Sequence, residues 1–286
     1  MSAPALARPV RIEQAVALLG ADPMARVLAG GQSLLPAMRL ELASPSLLVD
    51  LSRVKGLDGI RVDGDVLEVG AMVTHASIAA SALVRECLPG LATLASGIAD
   101  AQVRNLGTIG GSLANDDPAA CLTAGVLASG ATLVTDRRHI AADDFFEGLF
   151  TTALQADELL IAVRFPLDRD LRYAKFDQPA SRFALAGVAI AWSPNEPPRV
   201  AITGSPDGVF RAAALEVALG SARAPAEDAL RALLPVEAFG DDLHASAAWR
   251  AQLARVLTQR LLNQHQIERP RALPGVSQRR PSPGGA

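Results

Sequence analysis

Hydrophobic positions change period several times along this chain, and the changes mark out intermixed helices and strands. Near the N-terminus Ile12, Ala15, Val16 and Leu19 recur at helical spacing and stop at Gly20, which predicts a short amphipathic helix. An apolar run over 26–29 meets Gly30-Gly31 and reads as a strand ending in a tight loop, and 47–51 reads as a second buried strand. Over 60–69 apolar and polar residues alternate on both sides of Asp63-Gly64, the pattern of a tight hairpin. Thr74 is placed to cap a helix reaching about Leu83, and Leu88, Leu91, Leu94, Ala95 and Ile98 form the stripe of another.

Residues 105–117 read as a long loop. A helix from Pro118, a strand over 131–135 and a strand over 158–166 closed by proline follow. Beyond 168 the character changes to strands over 171–176, 185–192 and 200–203, with a Pro-rich turn at 193–198 and helices from Ala212 onward. The last helix, over 244–266, carries Trp249, Leu253, Val256, Leu257 and Leu261 as its core stripe. The beat is that of an α+β chain, without internal repeat and without the regular alternation of a doubly wound sheet. A boundary falls near 168, and the tail at 270–286, rich in Pro, Gly, Ser and Arg, is expected to be disordered.

Composition narrows the chemistry. The 286 residues exceed the usual single-domain size, and half of them are hydrophobic, so two packed units are expected. A net charge of −3 gives no footprint for nucleic acid or for an anionic membrane. The longest uncharged stretch, 118–135, is 18 residues broken by Gly, Ser and Thr, and it reads as a buried helix and strand, not a membrane span. Cys87 and Cys121 are the only cysteines, too few for a Cys-only zinc site or an iron–sulfur cluster. Redox chemistry here needs an organic cofactor or a partner. With no secretion signal evident at 1–20, the cytoplasm is the expected compartment.

Two glycine-rich loops stand at the ends of apolar segments. The first is Ala29, Gly30, Gly31, Gln32, Ser33, Leu34, Leu35; the second is centred on Thr108, Ile109, Gly110, Gly111 and Ser112. Paired glycines let backbone approach a ligand, and successive N–H groups form anion-binding nests. Neither loop carries the Lys of a nucleotide-hydrolysing loop, and the spacing is not the dinucleotide-binding fingerprint. A diphosphate held by amides and hydroxyls suits them; a plain turn or a packing contact suits them equally, and spacing alone leaves both standing.

Other candidates take structural readings. His75 at a helix start reads as a cap or core residue, and His139, His244 and His265 form no metal pattern. Both cysteines read as small buried hydrophobes, and Trp192 and Trp249 as core or interface anchors. Asp116-Asp117 at a helix start, with Pro118 as first helical residue, suits the helix dipole. Lys175 reads as a solvated edge charge.

The loops A-G-G-Q-S-L-L-P and N-L-G-T-I-G-G-S-L-A-N-D-D-P-A-A resemble the flavin-binding signatures of the medium subunit in the xanthine dehydrogenase and carbon monoxide dehydrogenase family. The resemblance continues through E-G-L-F-T-T-A-L-Q-A-D-E-L-L from Glu147, Y-A-K-F from Tyr173 and D-L-H-A-S-A from Asp242, covering nearly all but the tail. It implies a two-lobed FAD-binding domain of the vanillyl-alcohol oxidase and p-cresol methylhydroxylase type over 1–168, with lobes at about 1–55 and 56–168. A small α+β domain over 169–269, a three-stranded sheet with helices, would complete it. It further implies a non-covalent FAD whose diphosphate and ribityl part lie at the two loops, with Leu160, Tyr173 and Lys175 near the flavin. Where the family often carries an aspartate, this chain has Cys121, so that polar contact is either absent or supplied by Asp116 or Asp117.

The function so implied is that of the FAD-carrying subunit of a heterotrimeric molybdenum hydroxylase. A small subunit with two [2Fe–2S] clusters and a large subunit with the molybdenum cofactor would pass electrons to it. NAD, a quinone, a cytochrome or oxygen would accept them. No side chain is assigned as a catalytic acid or base and none as a metal ligand. A stand-alone flavin oxidoreductase of the same superfold and a cofactor-free assembly module are the alternatives; a purely flavin-based enzyme would need a larger substrate domain than 169–269 provides.

Overall fold

The computed structural model describes residues 3–221, 225 and 227–268, so the tail at 270–286 lies outside the described residues. Three short strands open the fold as a parallel sheet in the order Ala5–Ala7, Leu47–Asp50, Arg26–Leu28. Helix Ile12–Ala21 connects two of them and buries Ala15 and Leu19, two positions of the stripe read from the sequence. Parallel neighbours require such a crossover, because a tight turn can only reverse the chain.

A second sheet of five antiparallel strands runs Ile60–Asp63, Val66–Gly70, Leu160–Pro166, Thr132–Thr135, His139–Ala141. Its first hairpin pairs Asp63 with Val66, so the turn residues are Gly64, at φ +63°, and Asp65, one position beyond the expected pair. Between its strands lie short helices. The single helix expected from Thr74 is split: Thr74 Oγ1 accepts from Ser77 N at 3.1 Å to start His75–Ala80, and Ser81 Oγ accepts from Val84 N at 3.3 Å to start Ala82–Cys87. The long loop expected at 105–117 is largely helical, as Ala101–Leu106 and Ile109–Asn115. Side-chain caps explain this, since Asp100 accepts from Val103 N and Thr108 from Gly111 N, offsetting the poor helix propensity of the glycine pair.

Beyond residue 168 the chain forms an antiparallel meander of four strands, Asp170–Asp177, Ala184–Trp192, Arg199–Ser205 and Gly208–Arg211, one more than expected. The fourth escapes a periodicity reading because it is only four residues long and returns through a turn in which Gly208 sits at φ +96°. The closing helix, Ala247–Glu268, also departs from its expected face. Trp249 is 48% exposed and Val256 is at the surface, while Ala251, Leu253, Ala254, Leu257, Leu261 and Leu262 are buried. Trp192 is buried in the core as expected, where its ring stacks on His265 at 3.9 Å between centroids.

One element joins the two halves. All nine residues of helix Cys121–Ser129 are buried, including Thr123 and Ser129, whose hydroxyls bond back to the carbonyls of Ala120 and Val126. A helix without a polar face belongs inside a core. Leu122, Val126 and Leu127 share a single apolar cluster with Leu133 and Phe165 from one sheet and Ala189, Ala191 and Ala201 from the other. Arg199 closes its C-terminal end, donating to Leu127 O at 3.0 Å and to Asp143 at 2.7 Å. Burial raises the Asp143 pKa, but Arg199 and Arg211 outweigh it and hold the carboxyl below its ordinary value.

Helix Pro89–Ser96 seats against the first strand of the meander so closely that a methyl on Gly90 would stand 2.6 Å from the Leu171 carbonyl carbon. Gly90→Ala is therefore expected to destabilise the protein by about 1–3 kcal/mol, the usual scale of overpacking against backbone. Urea denaturation measures it, and an unchanged midpoint would contradict the packing described.

Candidate functional site

The two glycine loops meet. Strand Arg26–Leu28 delivers the first, and Gly30 packs so tightly on the second that a side chain there would overlap the Leu106 carbonyl oxygen and lie 2.8 Å from Gly107 Cα. Gly31, at φ +70°, turns the chain into helix Leu34–Arg39, and Gln32 Nε2 braces the turn by donating to Gly30 O at 3.0 Å. The N–H groups of Gly30, Gly31, Gln32 and Ser33 donate to nothing among the described residues, and Ser33 makes no side-chain cap. Four successive unoccupied amides at the mouth of a loop are an anion-binding arrangement.

The second loop is built differently. Ile109 N donates to Val73 O at 3.0 Å, Gly110 N to Ala71 O at 2.9 Å, and Gly111 N to Thr108 Oγ1 at 3.1 Å. The amides that the sequence reading offers to a phosphate are already occupied. Its glycines serve close approach instead: a methyl at Gly110 would stand 2.6 Å from Ala71 Cβ, and one at Gly111 would reach 3.5 Å from Ala29 Cβ. Ser112 begins beyond this knot, its N–H returned to Thr108 O.

The remaining expected residues fall into two groups. Leu160 is buried in the five-stranded sheet, and its neighbour Ile161 accepts from Ala71 N at 2.9 Å, one residue from the Gly110 contact. The carbonyl of Ile161, not Leu160 itself, reaches toward the loop through Ala71, which accepts from Gly110 N. Tyr173 and Lys175 lie on the strand Asp170–Asp177, away from the loop contact. The Tyr173 hydroxyl is turned into the core, where a methyl on Gly187 would lie 2.5 Å from it. Burial pushes its pKa well above the ordinary value, and the adjacent Cys121 adds to the rise. Burial likewise raises the Cys121 thiol. Lys175 is not a solvated edge charge: its side chain is buried, paired with Asp177 at 2.6 Å and donating to Arg182 O at 2.7 Å.

Asp116 and Asp117 depart from the expected helix start. The following helix begins at Cys121, and Pro118 sits in the intervening turn, where Asp117 Oδ1 accepts from Ala119 N at 2.8 Å. Asp116 instead ends helix Ile109–Asn115 in a left-handed conformation, φ +44°, a position unfavourable for a negative charge. Its side chain is fully buried and neither carboxyl oxygen has a hydrogen-bond partner among the described residues. Sequence reasoning placed Asp116 at a helix start and missed its burial, which no local pattern signals; Phe150 N, between strands Phe146–Gly148 and Thr151–Thr152, bonds Asp116 O. Among the described residues no cluster of His, Cys, Asp and Glu could hold a metal ion, and no helix is long and apolar enough to cross a membrane.

Burial first, and the Asp117 charge second, push the Asp116 pKa from 3.8 up to about 7. A carboxyl whose folded pKa is raised favours folding most at low pH, and that advantage is lost as pH climbs from the unfolded value to the folded one. Asp116→Asn should therefore gain stability over the native chain as pH rises from about 4 to about 7, by a few kcal/mol at most. Denaturation of both chains across that window tests it; a difference that stays constant with pH would contradict the burial of an ionisable Asp116.

Similarity to known proteins follows the same residues. Residues 2–168 match the family described as FAD binding domain in molybdopterin dehydrogenase. The chain is 37% identical to the nicotine 6-hydroxylase medium subunit of Paenarthrobacter nicotinovorans, over 92% of this chain and 98% of that one. Among solved structures it resembles carbon monoxide dehydrogenase from Hydrogenophaga pseudoflava at TM-score 0.84 and 34% identity, covering 92% of this chain and 96% of that chain. Quinoline 2-oxidoreductase from Pseudomonas putida 86 is similar at TM-score 0.84 and 30% identity, with coverage of 92% and 96%. The chain belongs to the family of FAD-binding domains of molybdopterin dehydrogenases, a family of flavin-dependent oxidoreductase subunits.

Proposed function

We propose that this chain is the FAD-bearing, electron-transferring subunit of a molybdenum hydroxylase-type complex. The observation that carries the reading is the junction of the loops: four unoccupied amides from Gly30 to Ser33 beside a second loop whose glycines leave no room for side chains. A diphosphate accepts hydrogen bonds from such amides without a metal or a lysine. Ala29, Gly30, Gly31, Gln32, Ser33, Leu34 and Leu35 would hold that part of the cofactor. Thr108, Ile109, Gly110, Gly111 and Ser112 form the wall that fixes the first loop, with Leu160 on the neighbouring strand one residue from Ile161, whose carbonyl holds Ala71.

FAD, when bound, supplies the capacity to take up and release electrons, and the protein supplies binding, orientation and exclusion of water. With two cysteines the chain cannot provide an iron–sulfur cluster of its own, so electrons must reach it from elsewhere. A small iron–sulfur subunit with two [2Fe–2S] clusters and a large molybdenum subunit fit that need, with NAD, a quinone, a cytochrome or oxygen as the final acceptor. The similar proteins named above are called nicotine 6-hydroxylase, carbon monoxide dehydrogenase and quinoline 2-oxidoreductase, and that spread of names supports reading substrate choice as a property of a partner chain. Tyr173, Lys175 and Asp117 keep only a supporting part: Tyr173 buries its hydroxyl beside Gly187, and Lys175 and Asp117 are hydrogen-bonded within the chain. The division at 168 separates the cofactor-binding part, 1–168, from 169–269, which shares its core through helix Cys121–Ser129.

The chain co-expressed with its partners should be yellow, and acid precipitation should leave FAD in the supernatant, because neither loop offers a histidine or tyrosine for covalent attachment. Gly30→Ala should separate the loops and reduce flavin content at least about tenfold, the scale of losing one or more hydrogen bonds to a charged group. A colourless native chain would overturn the flavin reading. Full flavin content in Gly30→Ala would overturn the assignment of these loops.

A further inference from the structure

His75 is buried behind the second loop, yet it is not a simple core residue. Its main-chain N–H donates to Gly107 O at 3.0 Å, and its ring stands where a side chain of residue 107 would be, with Nε2 2.9 Å from that point. Gly30 presses on Gly107 from the first loop, so one glycine is held between the first loop and an imidazole. Thr74, the preceding residue, bridges Thr108 and caps the helix that carries His75. Two neighbouring residues thus tie both ends of the Gly107–Thr108 peptide unit.

The ring is poorly suited to mere filling. It is 5% exposed, its Nδ1 is sealed without a hydrogen-bond partner, and an unpaired buried nitrogen is destabilising where an aliphatic side chain would not be. Val103 O, which accepts from Gly107 N at 2.7 Å, lies 3.0 Å from the same point, so the ring and the end of helix Ala101–Leu106 bracket residue 107. Burial and then the nearby Arg104 charge lower the His75 pKa to about 4, leaving the ring neutral with a single N–H. Arg104 itself is committed to the turn before this helix, donating to Ile98 O and Ala99 O at 2.9 and 2.8 Å.

We propose that His75 is a positioning residue of the flavin site, a neutral imidazole wedged behind Gly107 that sets the gap between the two glycine loops. The inference rests on the flavin reading given above and adds a residue to it. His75 touches no reacting atom; it acts through Gly107 and thereby through Gly30. Its flat ring keeps Gly107 forward against the first loop, while Val103 O holds the Gly107 N–H.

The test uses the full chain with FAD as probe, reading flavin affinity by fluorescence and the thermal midpoint without FAD in parallel. His75→Leu should keep or raise the midpoint, because the orphaned nitrogen is gone, and should weaken FAD binding about tenfold. His75→Gln, which keeps a flat side chain of similar reach behind Gly107, should bind within about threefold of the native chain. Gly107→Ala should weaken binding because its methyl meets the ring, and adding His75→Ala should recover part of that loss, a positive coupling between the two positions. Native affinity in His75→Leu, or strictly additive losses at 75 and 107, would overturn the proposal. If His75→Leu fails to fold, the Gln variant and the 75/107 cycle decide the matter alone. A native chain that binds no FAD would overturn the flavin reading and this inference with it.

Discussion

Everything in the candidate site depends on Gly30 reaching the Leu106–Gly107 peptide without a side chain between them. The first loop leaves the parallel sheet and the second joins two short helices between strands of the antiparallel one, more than 70 residues later in sequence. Only backbone-to-backbone contact lets them share one edge, and only glycine permits that contact. The second loop meets the requirement by spending its own amides: Ile109, Gly110 and Gly111 are fastened to Val73, Ala71 and Thr108. Once fastened it is a rigid wall, and the first loop, with its amides unoccupied, is the half that meets a ligand.

The wall is anchored in turn to the buried helix Cys121–Ser129. That helix packs the five-stranded sheet on the four-stranded one, and Pro118 at its approach accepts from Gly204 N of the meander. Asp116 marks where this anchoring is strained, a left-handed residue with a sealed carboxyl between the second-loop helix and the buried one. Such residues persist only where the surrounding structure over-determines them. The C-terminal part is therefore a brace for the loop wall.

Much of this was legible along the chain. Periodicity located the opening helix and its neighbouring strands, the hairpin at Gly64 and the strand Leu160–Pro166, and the unbroken apolar run of Ala184–Trp192 marked a strand buried along its whole length. The glycine pairs stood out as loops at strand ends. Their unequal roles did not, since which amides are occupied is decided by Ala71 and Val73, residues that carry no motif. The helix Ile109–Asn115 was hidden by its own glycines and appears only through the Thr108 cap. The exposure of Trp249 was misjudged because its helix presents Arg250 and Ala251, one and two residues on, to the core. The inward hydroxyl of Tyr173 depends on Gly187, diagonally across on the neighbouring strand, a contact that single-strand patterns cannot register.

The division of labour between the loops is the central physical claim, and amide hydrogen exchange with and without FAD tests it at single-residue level. The amides of Gly30, Gly31, Gln32 and Ser33 should exchange rapidly in the free chain and gain protection when FAD is added. Those of Ile109, Gly110 and Gly111 should be protected in both states. Protection gained only at 109–111, or none gained at 30–33, would contradict the account.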